Sequence, residues 1–133
     1  MNMIRAKDVP IVITFLAILV GLGGTFLGLQ ALFNPSSAIG YIDGSELISV
    51  SWAGRNAGLG VALLLAVIMR HAAGYTVAFG ASIFREISDV MANTSYGDGF
   101  PVEFAIFMLI EIVAFVICLR AAWPQTAASV SNE

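Results

Sequence analysis

The sequence predicts an all-α integral membrane protein, a four-helix bundle with its N-terminus and C-terminus both in the cytoplasm. Composition is the first reason, because 59% of the 133 residues are hydrophobic, 11% are charged and the mean hydropathy is +0.90. Soluble proteins hold about 25% charged residues, and a soluble domain this small could not bury so much apolar surface. The other two reasons are four apolar segments and a one-sided placement of Lys and Arg.

The chain is predicted to form one transmembrane domain, because its length suits a single domain and no repeat divides it. Each apolar segment is close to the roughly 20 residues that cross the hydrocarbon core of a bilayer. No segment has the pattern of a β-strand, and an open sheet could not span lipid. The predicted domain covers residues 1–133. Its four spans are 9–33, 50–69, 72–91 and 101–120, and a short polar tail follows at 124–133.

Residues that favour turns mark the ends of these spans. The first span holds no charged residue and is followed by Asn34–Pro35, where a helix is expected to end. The second ends at Arg70–His71, and the third, the least apolar, runs into the turn-rich segment 93–99. Pro101 suits the first turn of the fourth helix, and Pro124 is expected to stop that helix.

The basic residues outside the spans predict the orientation. Arg5 and Lys7 precede the first span, Arg70 follows the second and Arg120 ends the fourth, whereas the first loop (34–49) and the third loop hold no Lys or Arg. Loops rich in Lys and Arg stay on the cytoplasmic side. We therefore expect cytoplasmic termini and a multi-pass protein of the cell's inner membrane.

Charged and polar residues interrupt the last three spans within the outer half of the membrane, judged from a rise of about 1.5 Å per residue. An ionisable residue inside a span costs about 2.5–3.5 kcal/mol, so it needs a partner or a function. Arg85 and Asp89 are four residues apart and are expected to pair directly. The cluster comprises Arg55, Asn56, Arg85, Glu86, Asp89, Glu103 and, near the midplane, Glu111.

Carboxylates outnumber arginines in this cluster, so at least one carboxylate requires a proton, water or a ligand. One interpretation is purely structural, with ion pairs that fix the helix register. The other, which we adopt as the prediction, is a pocket for a small apolar or amphipathic molecule. Its head is predicted to contact Arg55, Asn56, Arg85, Glu86 and Asp89, and its apolar part is predicted to contact Tyr75, Phe79 and Phe107.

Small residues predict where the first two helices meet. Gly24-x-x-x-Gly28 and Gly54-x-x-x-Gly58 lie at similar depths in antiparallel helices. Glycines at this spacing allow two helix backbones to approach closely. We expect these motifs to face each other, or alternatively to form the interface of a homo-oligomer.

Several kinds of site are not predicted. Six Lys and Arg without a basic run argue against nucleic-acid binding. One His and scattered carboxylates do not give the ligand spacing of a metal site. The glycines of 21–28 follow no strand, so they are not a dinucleotide-binding fingerprint. No metal and no cofactor is expected.

Two segments carry a resemblance to a known family. WAGRNAGLGVALLLAVIMR (Trp52–Arg70) and FREISD (Phe84–Asp89) resemble the small four-helix bacterial membrane proteins related to DoxX, many of which have no established function. Those proteins show a Gly-Arg-Asn-like start to the second helix and Arg-x-x-x-Asp on the third. The resemblance implies a four-helix fold and a link to respiratory or quinone-associated chemistry, without a particular activity.

Three classes of function stay open. The first is a binding or accessory membrane protein that accepts a quinone- or lipid-like molecule, alone or within a membrane complex. The second is a small membrane enzyme, such as an isomerase or cyclase, that uses Glu86, Asp89 or Glu111 as acid or base. The third is a proton-coupled transporter that uses Glu111. A polar path past Glu111 to the cytoplasm would favour transport, and a pocket open only to the outer leaflet would favour the other two.

Overall fold

The computed structural model is all-helical over the residues that it describes, which are 9–39, 41–96 and 102–130. Four long helices follow one another along the chain, as predicted. A short 3-10 turn at Pro35–Ser37 follows the first helix. The helices are α1 (Ile11–Phe33), α2 (Glu46–Met69), α3 (Ala72–Tyr96) and α4 (Val102–Val130).

Three of these helices are long and apolar enough to cross a membrane: α1, α2 and the Val102–Trp123 part of α4. The 23 residues of α1 span about 35 Å at a rise of about 1.5 Å per residue, which exceeds the roughly 30 Å hydrocarbon core. Helix α3 falls outside this group because Arg85, Glu86 and Asp89 interrupt its apolar sequence.

The outer surface of the bundle is apolar. Phe15, Phe26 and Trp123 are about 70% exposed, together with many Leu, Ile and Val side chains. Water-soluble proteins rarely expose large continuous apolar patches, whereas such a surface matches the hydrocarbon of a bilayer. The exposed surface and the helix lengths together support a membrane protein.

The helix ends differ from the predicted spans in three places. Helix α2 begins at Glu46, about one turn before position 50, since a carboxylate is favourable in the first turn of a helix. Helix α3 continues past 91, and the Thr94 hydroxyl donates to the Val90 carbonyl oxygen, which satisfies a polar side chain within the helix. The prediction that Pro124 stops α4 is wrong, because the helix continues to Val130. A proline removes one backbone hydrogen bond, which can kink a helix without ending it.

The helices pack mainly as two pairs, α1 with α2 and α3 with α4, and the pairs meet along α2 and α3. An apolar core fills one end of the bundle, where Leu63, Tyr75 and Phe79 are the largest fully buried apolar side chains. On α4 this core includes Ala114, Cys118 and Ala122, which are spaced one turn apart. A smaller apolar cluster lies at the opposite end of the α1–α2 pair.

Glycines bring the α1 and α2 backbones into close contact. A Cβ atom added at Gly28 would lie 2.5 Å from the Ala57 nitrogen, and one added at Gly60 would lie 2.6 Å from the Gly21 carbonyl oxygen. The prediction for Gly24 and Gly28 is confirmed, because both face α2. On α2, however, the small residues that contact α1 are Ala53, Ala57 and Gly60. They lie on the face of α2 next to the one that holds the predicted Gly54-x-x-x-Gly58 motif.

The predicted contact of Gly54 and Gly58 with α1 is therefore wrong. Both are exposed, and a Cβ atom added at either position would meet nothing within 4 Å. Each residue turns the helix by 100°, so Gly54 and Gly58 lie about 100° around α2 from Ala53 and Ala57 and do not face α1. Alanine performs the packing role in α2 that the prediction assigned to glycine.

Alanine substitutions of these glycines should separate into two groups. Gly28→Ala and Gly60→Ala place a methyl group against backbone atoms of the facing helix, so each should destabilise the fold by about 1–3 kcal/mol. Gly54→Ala and Gly58→Ala, the matched controls, add a methyl group in open space and should leave stability unchanged or slightly raised. Unfolding of each variant in mixed micelles with increasing SDS measures the difference. Equal effects in both groups would contradict the described α1–α2 packing.

Candidate functional site

The polar face of α3 points into the protein. Ser82, Arg85, Glu86 and Asp89 have the spacing of one helix face, and Ser82 and Glu86 are buried. Phe84, on another side of the same helix, is 73% exposed. This arrangement reverses that of a soluble helix, because apolar groups suit lipid while ionisable groups need partners inside the bundle.

The Arg85 guanidinium joins three helices. Its Nη1 donates to the Asn56 Oδ1 of α2 at 3.1 Å, and its Nη2 forms an ion pair with Glu86 of α3. The same Nη2 lies 3.8 Å from Oε1 of Glu111 on α4. Asn56 is oriented by a second hydrogen bond, in which its Nδ2 donates to the Trp52 carbonyl oxygen at 2.9 Å. We call Asn56, Ser82, Arg85, Glu86 and Glu111 the polar cluster.

A second ion pair lies nearer the surface. Nη2 of Arg55 on α2 is 2.6 Å from Oδ1 of Asp89 on α3, and the two side chains are 39% and 18% exposed. The sequence predicted a pair within α3 between Arg85 and Asp89. In the structure Asp89 forms its ion pair with Arg55, while Arg85 contacts Glu86 and Asn56. The arginines therefore link neighbouring helices.

Several buried polar atoms of the cluster lack a hydrogen-bond partner within the part of the chain that the structure describes. They include both carboxylate oxygens of Glu111, Oε2 of Glu86 and the Ser82 hydroxyl. Glu111 is fully buried, and its 3.8 Å distance from Arg85 is too long for a hydrogen bond. A buried carboxylate without hydrogen bonds is strongly unfavourable. The Ser82 hydroxyl faces Glu111 and can donate to one of its oxygens. The second Glu111 oxygen and Oε2 of Glu86 need a proton or a further donor group.

The cluster also carries more negative than positive charge. Among residues 9–39, 41–96 and 102–130, Arg85 is the one cation within 4 Å of Glu86 or Glu111. One guanidinium cannot neutralise two ionised carboxylates, and like charges so close in an apolar interior repel strongly. The ionised cluster therefore has an excess of one negative charge.

An apolar groove of about 460 Å³ lies between α2 and α3. Its walls are formed by α2 residues between Ala62 and Met69 and by α3 residues between Ala73 and Ala81. Most of these residues are small, which leaves space between the two helices. Ala81 precedes Arg85 by about one helical turn, or roughly 6 Å. The groove thus extends along the bundle towards the polar cluster.

The other predicted site residues lie in different surroundings. Tyr75 and Phe79 are fully buried in the apolar core, and the Tyr75 hydroxyl donates to Thr14 Oγ1 at 3.4 Å. Phe107 is 44% exposed, and Glu103 is exposed in the first turn of α4. That Tyr75, Phe79 and Phe107 contact the apolar part of a ligand remains a prediction.

The prediction of site residues omitted Ser82, although its spacing from Arg85 and Glu86 places it on their face of α3. It also omitted the α1 residue Thr25, whose buried hydroxyl lacks a hydrogen-bond partner among the described residues. The spacing could have identified Ser82. Nothing in the α1 sequence distinguishes Thr25, because the approach of Gly60 to it depends on how α1 and α2 pack. No group of three metal-ligating side chains occurs in the described parts of the chain.

The Arg55–Asp89 pair predicts a coupling between α2 and α3. In a double-mutant cycle, Arg55→Leu and Asp89→Leu should each destabilise the fold, and the double variant should recover about 0.5–3 kcal/mol of the summed loss. The matched control combines Arg55→Leu with Glu103→Leu, which removes an exposed carboxylate and should be additive. Thermal unfolding in one detergent measures all variants. Additive effects of Arg55 and Asp89 would contradict the ion pair.

Comparisons with protein-family models, with curated proteins and with solved structures found no match to this chain.

Proposed function

We propose that this chain is a multi-pass protein of the inner membrane that binds a small amphipathic molecule, quinone- or lipid-like in having an apolar body and a polar head. The head would contact the polar cluster, and the body would lie in the groove between α2 and α3. The protein would act as a binding or accessory subunit. The loop charges support cytoplasmic termini, which would place the polar cluster in the outer half of the membrane.

The observation that carries the proposal is the set of buried polar atoms without partners. Native proteins pair nearly all buried polar groups, so each exception requires an explanation. Here the exceptions are concentrated on Ser82, Glu86 and Glu111, in one place between α3 and α4. A structural role alone requires only that the ion pairs fix the helix register. Even with the Ser82 hydroxyl donating to Glu111, it leaves the second Glu111 oxygen and Oε2 of Glu86 without a donor. A ligand head that donates hydrogen bonds would satisfy them.

The position of the groove supports an amphipathic ligand. Its lining is apolar, its volume is about 460 Å³, and it is open along the surface of the bundle, where an apolar chain can enter from the lipid. Polar groups lie about one turn beyond Ala81. Such a site suits a molecule with an apolar body several carbon atoms long and a compact polar head.

The apolar core supports binding over transport. Beyond Glu111 along α4, the buried residues are Ala114, Cys118 and Ala122, and Leu63 and Phe79 pack in the same core. Proton transport needs a chain of polar groups or water across the membrane, and the described residues of this core supply apolar side chains in that position. A small membrane enzyme would use the same carboxylates to act on its substrate. A binding protein and an enzyme would therefore both need this site for a small molecule.

Blocking the groove should remove the bound molecule. The chain is extracted directly from its membrane into polymer-bounded nanodiscs, and the molecules bound to it are measured by native mass spectrometry. The wild type should retain one molecule per chain. Ala81→Phe, which adds a ring to the groove next to the polar cluster, should weaken the affinity for this molecule at least about tenfold, a loss equivalent to about 1.4 kcal/mol, and so lower the fraction of chains that carry it.

The matched control is Ala92→Phe, which adds the same ring to an exposed position of α3 outside the groove. It should retain the wild-type occupancy. The proposal is contradicted if all three proteins carry the same lipid mixture in the same proportions, with no molecule that depends on Ala81.

A further inference from the structure

We propose that the head of the bound molecule is a cation with N–H donors, so that the ligand is an amphipathic amine. This inference rests on the proposed binding function and narrows the ligand to a molecule whose head donates hydrogen bonds, which excludes a quinone head. Four groups in the polar cluster determine it: the Glu111 carboxylate, the second oxygen of Glu86, the Ser82 hydroxyl and the Arg85 guanidinium.

Acceptors predominate among the atoms without partners. Glu111 contributes two carboxylate oxygens and Glu86 contributes one. Among the nitrogen atoms of the polar cluster, Nε of Arg85 is the one donor without a partner. An ionised carboxylate accepts hydrogen bonds and cannot donate them. A phosphate, a carboxylate or a quinone carbonyl group brings further acceptors. An ammonium group brings three donors and matches the oxygens that need them.

Charge leads to the same class of ligand. Glu86 and Glu111 both approach the same Nη2 atom of Arg85, so the two carboxylates lie close to each other. The Arg85 charge balances one of them. When both carboxylates are ionised, a second cation balances the other and takes the place that a proton on Glu111 would otherwise fill. An anionic head would instead add a negative charge to a buried site that already has an excess. The Arg55–Asp89 pair is balanced internally and does not change this balance.

The groove adds a requirement for an apolar body. Its lining between Ala62 and Ala81 is formed by apolar side chains, which favour an alkyl or aryl group over a polar chain. A small inorganic cation would leave this surface unfilled. The combination of an ammonium head with an apolar body fits both parts of the site.

Three eight-carbon probes test the assignment. Octylamine is protonated at neutral pH, octanol is neutral and octanoate is an anion, while their alkyl chains are nearly the same. Each is titrated by calorimetry into the full chain in phosphatidylcholine nanodiscs, with empty nanodiscs subtracted. Octylamine should bind saturably at one per chain, octanol at least about tenfold more weakly, and octanoate without saturable heat.

Two substitutions on α4 provide the matched control. Glu111→Gln removes the charge with little change in shape and should weaken octylamine at least about tenfold. Glu103→Gln removes an exposed carboxylate from the same helix and should leave binding unchanged. If Glu111→Gln does not fold, Glu86→Gln tests the same charge and should also weaken octylamine.

Several results would overturn the assignment. The assignment is wrong if octanol or octanoate binds as tightly as octylamine, or if Glu111→Gln binds octylamine as well as Glu103→Gln does. If the chain retains a molecule that depends on Ala81 but octylamine does not bind, the binding function stands and the cationic head is wrong. If no molecule is retained and no probe binds, both proposals are wrong.

Discussion

One guanidinium group organises the centre of this protein. Arg85 reaches Asn56 on α2, Glu86 on its own helix and Glu111 on α4, so a single side chain connects three helices inside an apolar bundle. In lipid the alternative for such a group is exposure to hydrocarbon, which is far more costly than a shared ion pair. The orientation of α3 follows from this constraint. Its polar face must point inward, and Phe84, on another side of the helix, then faces outward.

The α1–α2 pair is closely packed, and the polar cluster forms beside it. Gly28 and Gly60 allow the two backbones to contact each other, and Ala53 and Ala57 complete the surface. Close packing of small residues replaces the hydrophobic effect as the main source of stability between helices in lipid. Asn56 projects from the same helix as these contacts and faces Arg85. Helix packing and the polar cluster are thus connected through one turn of α2.

The contact between the two helix pairs is looser, and small residues line it. The groove between α2 and α3 ends near the polar cluster, where Arg55 and Asp89 form the outer ion pair. Loose packing beside a fully packed core is the arrangement expected of a ligand site, because a bound molecule completes the packing there.

Much of the fold could be predicted from the sequence, because hydropathy and turn residues report directly on helices in lipid. The four helices and the polar face of α3 follow from such local patterns. Which face of α2 contacts α1 could not be predicted, because both Ala53 with Ala57 and Gly54 with Gly58 are pairs of small residues that allow close helix packing. The partners of Arg85 and Asp89 could not be predicted either, because a long flexible arginine can reach several carboxylates and the choice depends on how three helices meet. The end of α4 at Pro124 was predicted wrongly, because a proline can also lie within a helix that continues past it.

The most direct test of this account is an experimental structure of the chain in lipid taken from its own membrane, at a resolution that shows bound molecules. The account predicts density for an elongated molecule in the groove between α2 and α3, with its head within hydrogen-bond distance of the Glu111 carboxylate and close to Arg85. A structure in which α2 and α3 close over the groove, with both Glu111 oxygens hydrogen-bonded to protein side chains, would contradict it.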